Sequence, residues 1–160
     1  MPTNERAPER MMAGEHRQSG QYIEQVIETV ASWPGITTGE GRFNSTTFEI
    51  EQRDIGHVHR WGPVDIGYPK PLRDQLMREG KTGEHHVFPN SNATTFHVES
   101  DEDIEQALAL LRFSYLYQVL VLQKRGNAPP ELAAIDVRDE LARMDASDDL
   151  RAIFEDIHAR

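Results

Sequence analysis

The sequence predicts an α+β fold: one small domain with an antiparallel sheet of about five or six strands, two main helices packed on one face and a C-terminal helical extension. Two long stretches, around 19–32 and 101–123, carry apolar residues at helical spacing. Between them lie short runs of alternating polarity, punctuated by Gly, Pro, Asn and Asp. Strands that come in runs, and do not alternate with helices, argue against a parallel βαβ sheet.

The first helix is read from Tyr22, Ile23, Val26, Ile27 and Val30, with Ser19 as N-cap and Trp33-Pro34-Gly35 as its stop. Strands follow at 36–39, 46–51 and 53–60, and then at 63–68, where Val64, Ile66 and Tyr68 share a face. Pro69 and Pro71 end this meander, and Leu72, Leu76 and Met77 mark a short helix closed by Gly80. Two more strands, 84–88 and 94–98, flank the turn Pro89-Asn90-Ser91-Asn92. Ser100-Asp101-Glu102-Asp103 then opens the strongest helix as a capping box, its acids favourably placed at the positive end of the helix dipole. Past the linker 126–130, amphipathic helices are expected at 130–144 and 148–158. The stripe Leu150, Ile153, Phe154, Ile157 either wraps the domain or forms the arm of a homodimer. The expected division is a disordered lead at 1–18, the α+β domain at 19–124, and linker plus helices at 125–160.

Composition excludes several classes. The 160 residues include no cysteine, so disulfides, thiolate metal sites and a cysteine nucleophile are out, which fits a reducing cytoplasm. A net charge of −10 repels phosphate backbones, so nucleic acid is not an expected partner. No run of about 18 apolar residues exists to span a membrane. Residues 1–18 lack the apolar core of a signal peptide, and a cytoplasmic protein is expected.

The most informative segment is Arg53-Asp54-Ile55-Gly56-His57-Val58-His59-Arg60-Trp61. Strict period-2 alternation puts Ile55, His57, His59 and Trp61 on one face, with the two imidazoles roughly 7 Å apart along the backbone. His85-His86 gives a second pair, so four of the seven histidines fall in two compact clusters. On a strand, alternation would let only one of His85 and His86 join a site with the first pair. Three readings of His57 and His59 stay open. They are hydrogen-bonded strand histidines, the base and anchor of a small-molecule pocket, or ligands of a divalent metal with His86 or His85 as the third. Asp65, one strand on, is placed to orient an imidazole, while Trp61 and Tyr68 would supply flat apolar walls. Ser114 and Tyr115 read as packing residues, and His97 as a residue of the polar sheet face.

The string RDIGHVHRWGPVDIGYPKPLRDQLMREGKTGEHHVFPNSNATTFHVE, with the later LLRFSYLY, resembles the luciferase-domain family over about residues 21–120. The marks are Arg53, Asp54, Ile55, Gly56, His57 and His59, then a histidine after the short helix, best met by His86, then Leu111, Ser114 and Tyr115. The element order is also similar to the small α+β domains of the MmcQ/YjbR-like group. The resemblance implies a pocket with His57, His59 and His86 in catalytic roles, and the residue pattern adds Trp61, Asp65, Tyr68 and His85 in binding roles. Fungal luciferases contain a version of the domain and oxidise a hydroxylated pyrone with O₂, with no known organic cofactor. The resemblance therefore implies cofactor-independent oxygenation of an enolic or phenolic small molecule. Their anchoring segment and insertions have no counterpart before Gln21, so light emission is not expected. The competing reading is a non-catalytic interaction or dimerisation module with structural histidines, or a metalloprotein that uses the same residues.

Overall fold

The computed structural model describes residues 9–159, with side chains from Gly20 onward. Four strands form a meander: β1 (Ile36–Glu40), β2 (Ser45–Ile50), β3 (Arg53–His59) and β4 (Pro63–Gly67). Helix α2 (Lys70–Arg78) then carries the chain to β5 (Gly83–Glu84) and β6 (Ala93–His97). All neighbouring strands are antiparallel, in the order β1-β2-β3-β4-β6-β5. The predicted α+β class and strand number are both met.

Helices α1 (Glu9–Ala31) and α3 (Asp101–Arg125) cover one face of this sheet. Ile23, Val26 and Val30 of α1 and Ala107, Leu110, Leu111 and Ser114 of α3 are buried, and Phe48, Ile50, Val58, Val64 and Ile66 are buried with them from the strands. Each large aliphatic side chain in such a core contributes about 1.5–3 kcal/mol by leaving water. At the start of α3, Ser100 accepts the Asp103 N–H while the Asp103 carboxylate accepts the Glu99 N–H. At its end Gly126 takes the left-handed conformation and Asn127 N–H closes onto Leu122 O.

Three boundaries differ from expectation. Helix α1 starts at Glu9, well before Ser19, because the segment after Pro8 is rich in Glu, Arg, Met, Ala and Gln and holds no further proline. Of the lead expected at 1–18, residues 1–8 lie outside the described residues. The single helix expected at 130–144 is two, α4 (Pro130–Ala133) and α5 (Val137–Arg143). The Asp136 side chain accepts the Asp139 N–H between them, and an Asp in that role starts a helix anew. Finally, the strand expected at 84–88 pairs only at Gly83 and Glu84.

Helix α6 (Asp148–Ala159) buries Leu150 and Phe154 and packs against α2 and α3, so the C-terminal stripe wraps its own domain. Arg112 of α3 ties α5 down, its guanidinium 2.6 Å from Glu140 and 4.8 Å from the ring centroids of Trp33 and Tyr115.

Candidate functional site

The histidines collect on the opposite face of the sheet, the one turned away from α1 and α3. Between β2 and β3 the register shifts: Phe48 pairs with Gly56, yet Glu49 pairs with Asp54, leaving Ile55 as an extra residue. This bulge breaks strict alternation. Ile55 is buried in the core, while His57 and His59 emerge on the open face, so the expected grouping of Ile55 with the histidines is corrected. Gly56 makes the bulge feasible. Its φ of +152° suits glycine, and a Cβ there would lie 3.0 Å from Asp65 O and 3.1 Å from both Ile66 and Leu111 side chains. The Ile55 carbonyl accepts a 2.7 Å hydrogen bond from Ser114 Oγ, which fixes the bulge to α3.

The register carries the site across the sheet. His57 on β3 lies opposite Asp65 on β4, and Asp65 lies opposite Thr95 on β6. Asp65 is the hub, with its side chain 3 % exposed. Its Oδ2 is 3.1 Å from His57 Nε2, 3.2 Å from His59 Nε2 and 3.2 Å from His86 Nε2. Oδ1 accepts a 2.6 Å hydrogen bond from Thr95 Oγ1 and sits 3.7 Å from His85 Nε2. The Thr95 hydroxyl also accepts the His86 backbone N–H at 3.1 Å.

Both members of the second histidine pair therefore reach the site, which corrects the expectation that only one would. The chain leaves the β5 ladder after Glu84, and alternation no longer applies. In its place the His85 ring closes a turn, Nδ1 accepting the N–H groups of Val87 and Phe88 at 3.0 Å each. A neutral imidazole with an acceptor at Nδ1 carries its proton at Nε2.

Electrostatics separate the members. Burial pushes the Asp65 carboxyl up, but hydrogen bonds from His57 and Thr95 and the charges of His86 and His57 outweigh it and hold Asp65 far below the ordinary carboxylate range. The bond to Asp65 raises His57. Burial dominates at His59 and at His85 and lowers both. His59 is the more constrained, since its Nδ1 is buried without a hydrogen-bond partner.

Residues 52–114 match the model of the luciferase domain. The match supports the luciferase-domain family for this segment, which holds the whole Asp65 cluster as well as Gly56 and Ser114. No curated protein and no solved structure matches the chain.

The matched segment also supplies the rim. Trp61 is 43 % exposed, with its ring 6.1 Å from His59 and 6.2 Å from His86. Val87 and Phe88 are exposed beyond, and Phe88 stacks on His85 at 5.6 Å. His97, on the polar face as expected, flanks Trp61 at 6.5 Å. Tyr68 is not brought to the site. It is buried on the helix side, where its hydroxyl donates to Leu110 O at 2.7 Å. A cavity of 560 Å³ lies elsewhere, between α2, α3 and α6, and none of the cluster residues lines it. Thr95 is the member that sequence reasoning missed. The central place of Asp65 was readable: a connection of Arg60, Trp61 and Gly62 between His59 and Pro63 puts Val58 opposite Val64 and His57 opposite Asp65.

Proposed function

We propose that the Asp65 cluster is the working site of a small-molecule enzyme whose substrate carries an acidic enol or phenol hydroxyl. The observation that carries this reading is the gathering of four imidazoles on one buried carboxylate, bordered by exposed apolar side chains. A buried anion shared by so many titratable rings is a costly arrangement for a purely structural purpose, and such groupings concentrate at functional sites.

In this reading Asp65 orients His57 through the Nε2–H···Oδ2 bond, which leaves the lone pair on Nδ1. The same bond raises the proton affinity of a ring that is 36 % exposed, so His57 accepts a hydroxyl proton near neutral pH. Trp61, Val87 and Phe88 give a planar ligand apolar surface to lie against. The family resemblance adds O₂ as the oxidant. The electron pair of the enolate carbon forms a bond to O₂, and the resulting peroxide takes back the proton held by His57. Substrate plus O₂ becomes a hydroperoxide, with no electron left over.

Calorimetric titration with hydroxypyrones and phenols, paired with an oxygen electrode, tests this. The expected result is binding that weakens at least about tenfold in His57→Ala, with loss of O₂ uptake, since removing a positioned base costs roughly 10²–10⁴ in rate. Failure of every enol and phenol to bind the wild-type protein, or unchanged O₂ uptake in His57→Ala, would reject the reading.

A further inference from the structure

The Oδ2 atom of Asp65 is overcommitted. Three Nε2 atoms stand 3.1–3.2 Å from it. An ionised carboxylate has about four lone-pair sites over its two oxygens, so roughly two belong to Oδ2. Three ring nitrogens therefore crowd an oxygen with room for about two N–H donors. Nor can His59 turn to another acceptor, because its ring is buried and Nδ1 meets no partner. Among the described residues, this ring makes its polar bond through Nε2 alone.

We infer that His57, His59 and Asp65 hold a divalent first-row metal ion, such as iron(II), cobalt(II) or zinc(II), and that a substrate hydroxyl binds to that ion. The inference rests on the reading of this cluster as the working site and names the cofactor it uses. The ligand atoms of these three residues all lie within 4.8 Å of one another. Bonds of about 2.0–2.2 Å give ligand–ligand edges of roughly 3.0 Å in an octahedron and 3.4 Å in a tetrahedron. The observed 3.1 and 3.2 Å fall between those limits. Two histidines and one carboxylate on one face of an ion leave its other positions open, the arrangement that suits small ligands and O₂.

Thr95 pins Oδ1 with a 2.6 Å hydrogen bond and so presents Oδ2 alone as the ligand. The ligands stand on adjacent paired strands, which fixes their spacing. A second grouping, Asp65 with His85 and His86, also has ligand atoms within 4.8 Å. His85 disqualifies it: with Nδ1 accepting two backbone N–H groups, its Nε2 bears a proton and offers no lone pair. With an ion bound, His57 Nε2 is a ligand, while His86, 29 % exposed, stays outside the triad with its Nε2 3.2 Å from Oδ2.

The experiment uses the full untagged chain, stripped with EDTA and titrated with Co²⁺ by visible absorption and with Zn²⁺ by calorimetry. One equivalent should bind, with ligand-field bands in the Co²⁺ form. His57→Ala and His59→Ala should each weaken binding by about 100-fold or more, and Thr95→Val by about 10–100-fold. His85→Asn keeps an acceptor for the Val87 and Phe88 N–H groups and should change affinity by less than about threefold. Circular dichroism of each variant separates loss of metal from loss of fold, and His57, the most exposed of the three ligands, is the safest substitution. Absence of Co²⁺ bands in the wild-type protein overturns the inference, as does equal loss in His85→Asn and His57→Ala. Enols and phenols titrated into stripped and loaded protein then separate the two readings. A ligand that binds both forms equally overturns the bond between substrate hydroxyl and ion and leaves the small-molecule site. Metal binding with no ligand in either form does the reverse.

Discussion

On the covered face of the sheet, Phe48, Ile50, Val58, Val64 and Ile66 meet α1 and α3 through many interchangeable apolar contacts; on the open face, His57, His59, His85 and His86 all lean on Asp65. One side distributes its stability, so the loss of any single side chain is shared among neighbours. The other concentrates it, and a change at one carboxylate reaches four rings together. The two sides meet at Ile55 and Gly56, where the bulge sends one residue inward and turns the next polar residue outward. Packing tolerance and chemical intolerance are thus assigned to opposite surfaces of the same strands.

The junction is where the contrast breaks most easily. Gly56→Val combines a disfavoured φ with contacts near 3.0 Å to Asp65 O and 3.1 Å to Leu111, so both faces are disturbed at once. Urea denaturation should show a loss of about 3–5 kcal/mol. On the covered side alone, Ile55→Ala removes a fully buried side chain and should cost about 2–4 kcal/mol, with the histidine cluster and its ligands' affinity nearly unchanged.

Asp65→Asn sharpens the contrast from the other side. It should cost about 1–3 kcal/mol at neutral pH, through hydrogen bonds the amide cannot replace. It should also remove a pH dependence. Asp65 titrates below its ordinary 3.8 in the folded protein, so its contribution is fully present above about pH 4 and is lost as pH falls further. His57, raised, stabilises below its ordinary 6.5 and loses that contribution as pH rises through its folded value; His59 and His85, lowered, act in the opposite direction. Stability measured between pH 2 and 7 should therefore fall more steeply below pH 4 in the wild-type protein than in Asp65→Asn. Parallel curves would show that Asp65 is not the hub.

Much of this division was readable before the structure. Ser100 and its acids fixed the start of α3, and the aliphatic stripes fixed which helices cover the sheet. His57 and His59 were correctly placed together because both follow the bulge, where period two holds. Ile55 was misplaced because one unpaired residue leaves no trace in a polarity pattern, and Gly56 was its only local sign. The strand rule that separates His85 from His86 ends at Glu84, where a side chain, not a ladder, takes over the backbone N–H groups. Tyr68 is an aromatic near the histidines in sequence, yet its alternation with Val64 and Ile66 points it into the core. Thr95 gave no signal at all, since a threonine on a strand is ordinary until register puts it opposite an aspartate.

The bulge also governs which kinds of sequence change this strand can absorb. It works like a reading frame: deleting the single extra residue would keep every side chain's chemistry yet swap the destinations of all that precede it relative to all that follow. The core would receive imidazoles or the solvent would receive aliphatics. Away from Gly56, point substitutions can tune either surface of this sheet independently, but between Ile50 and His59 its length is fixed.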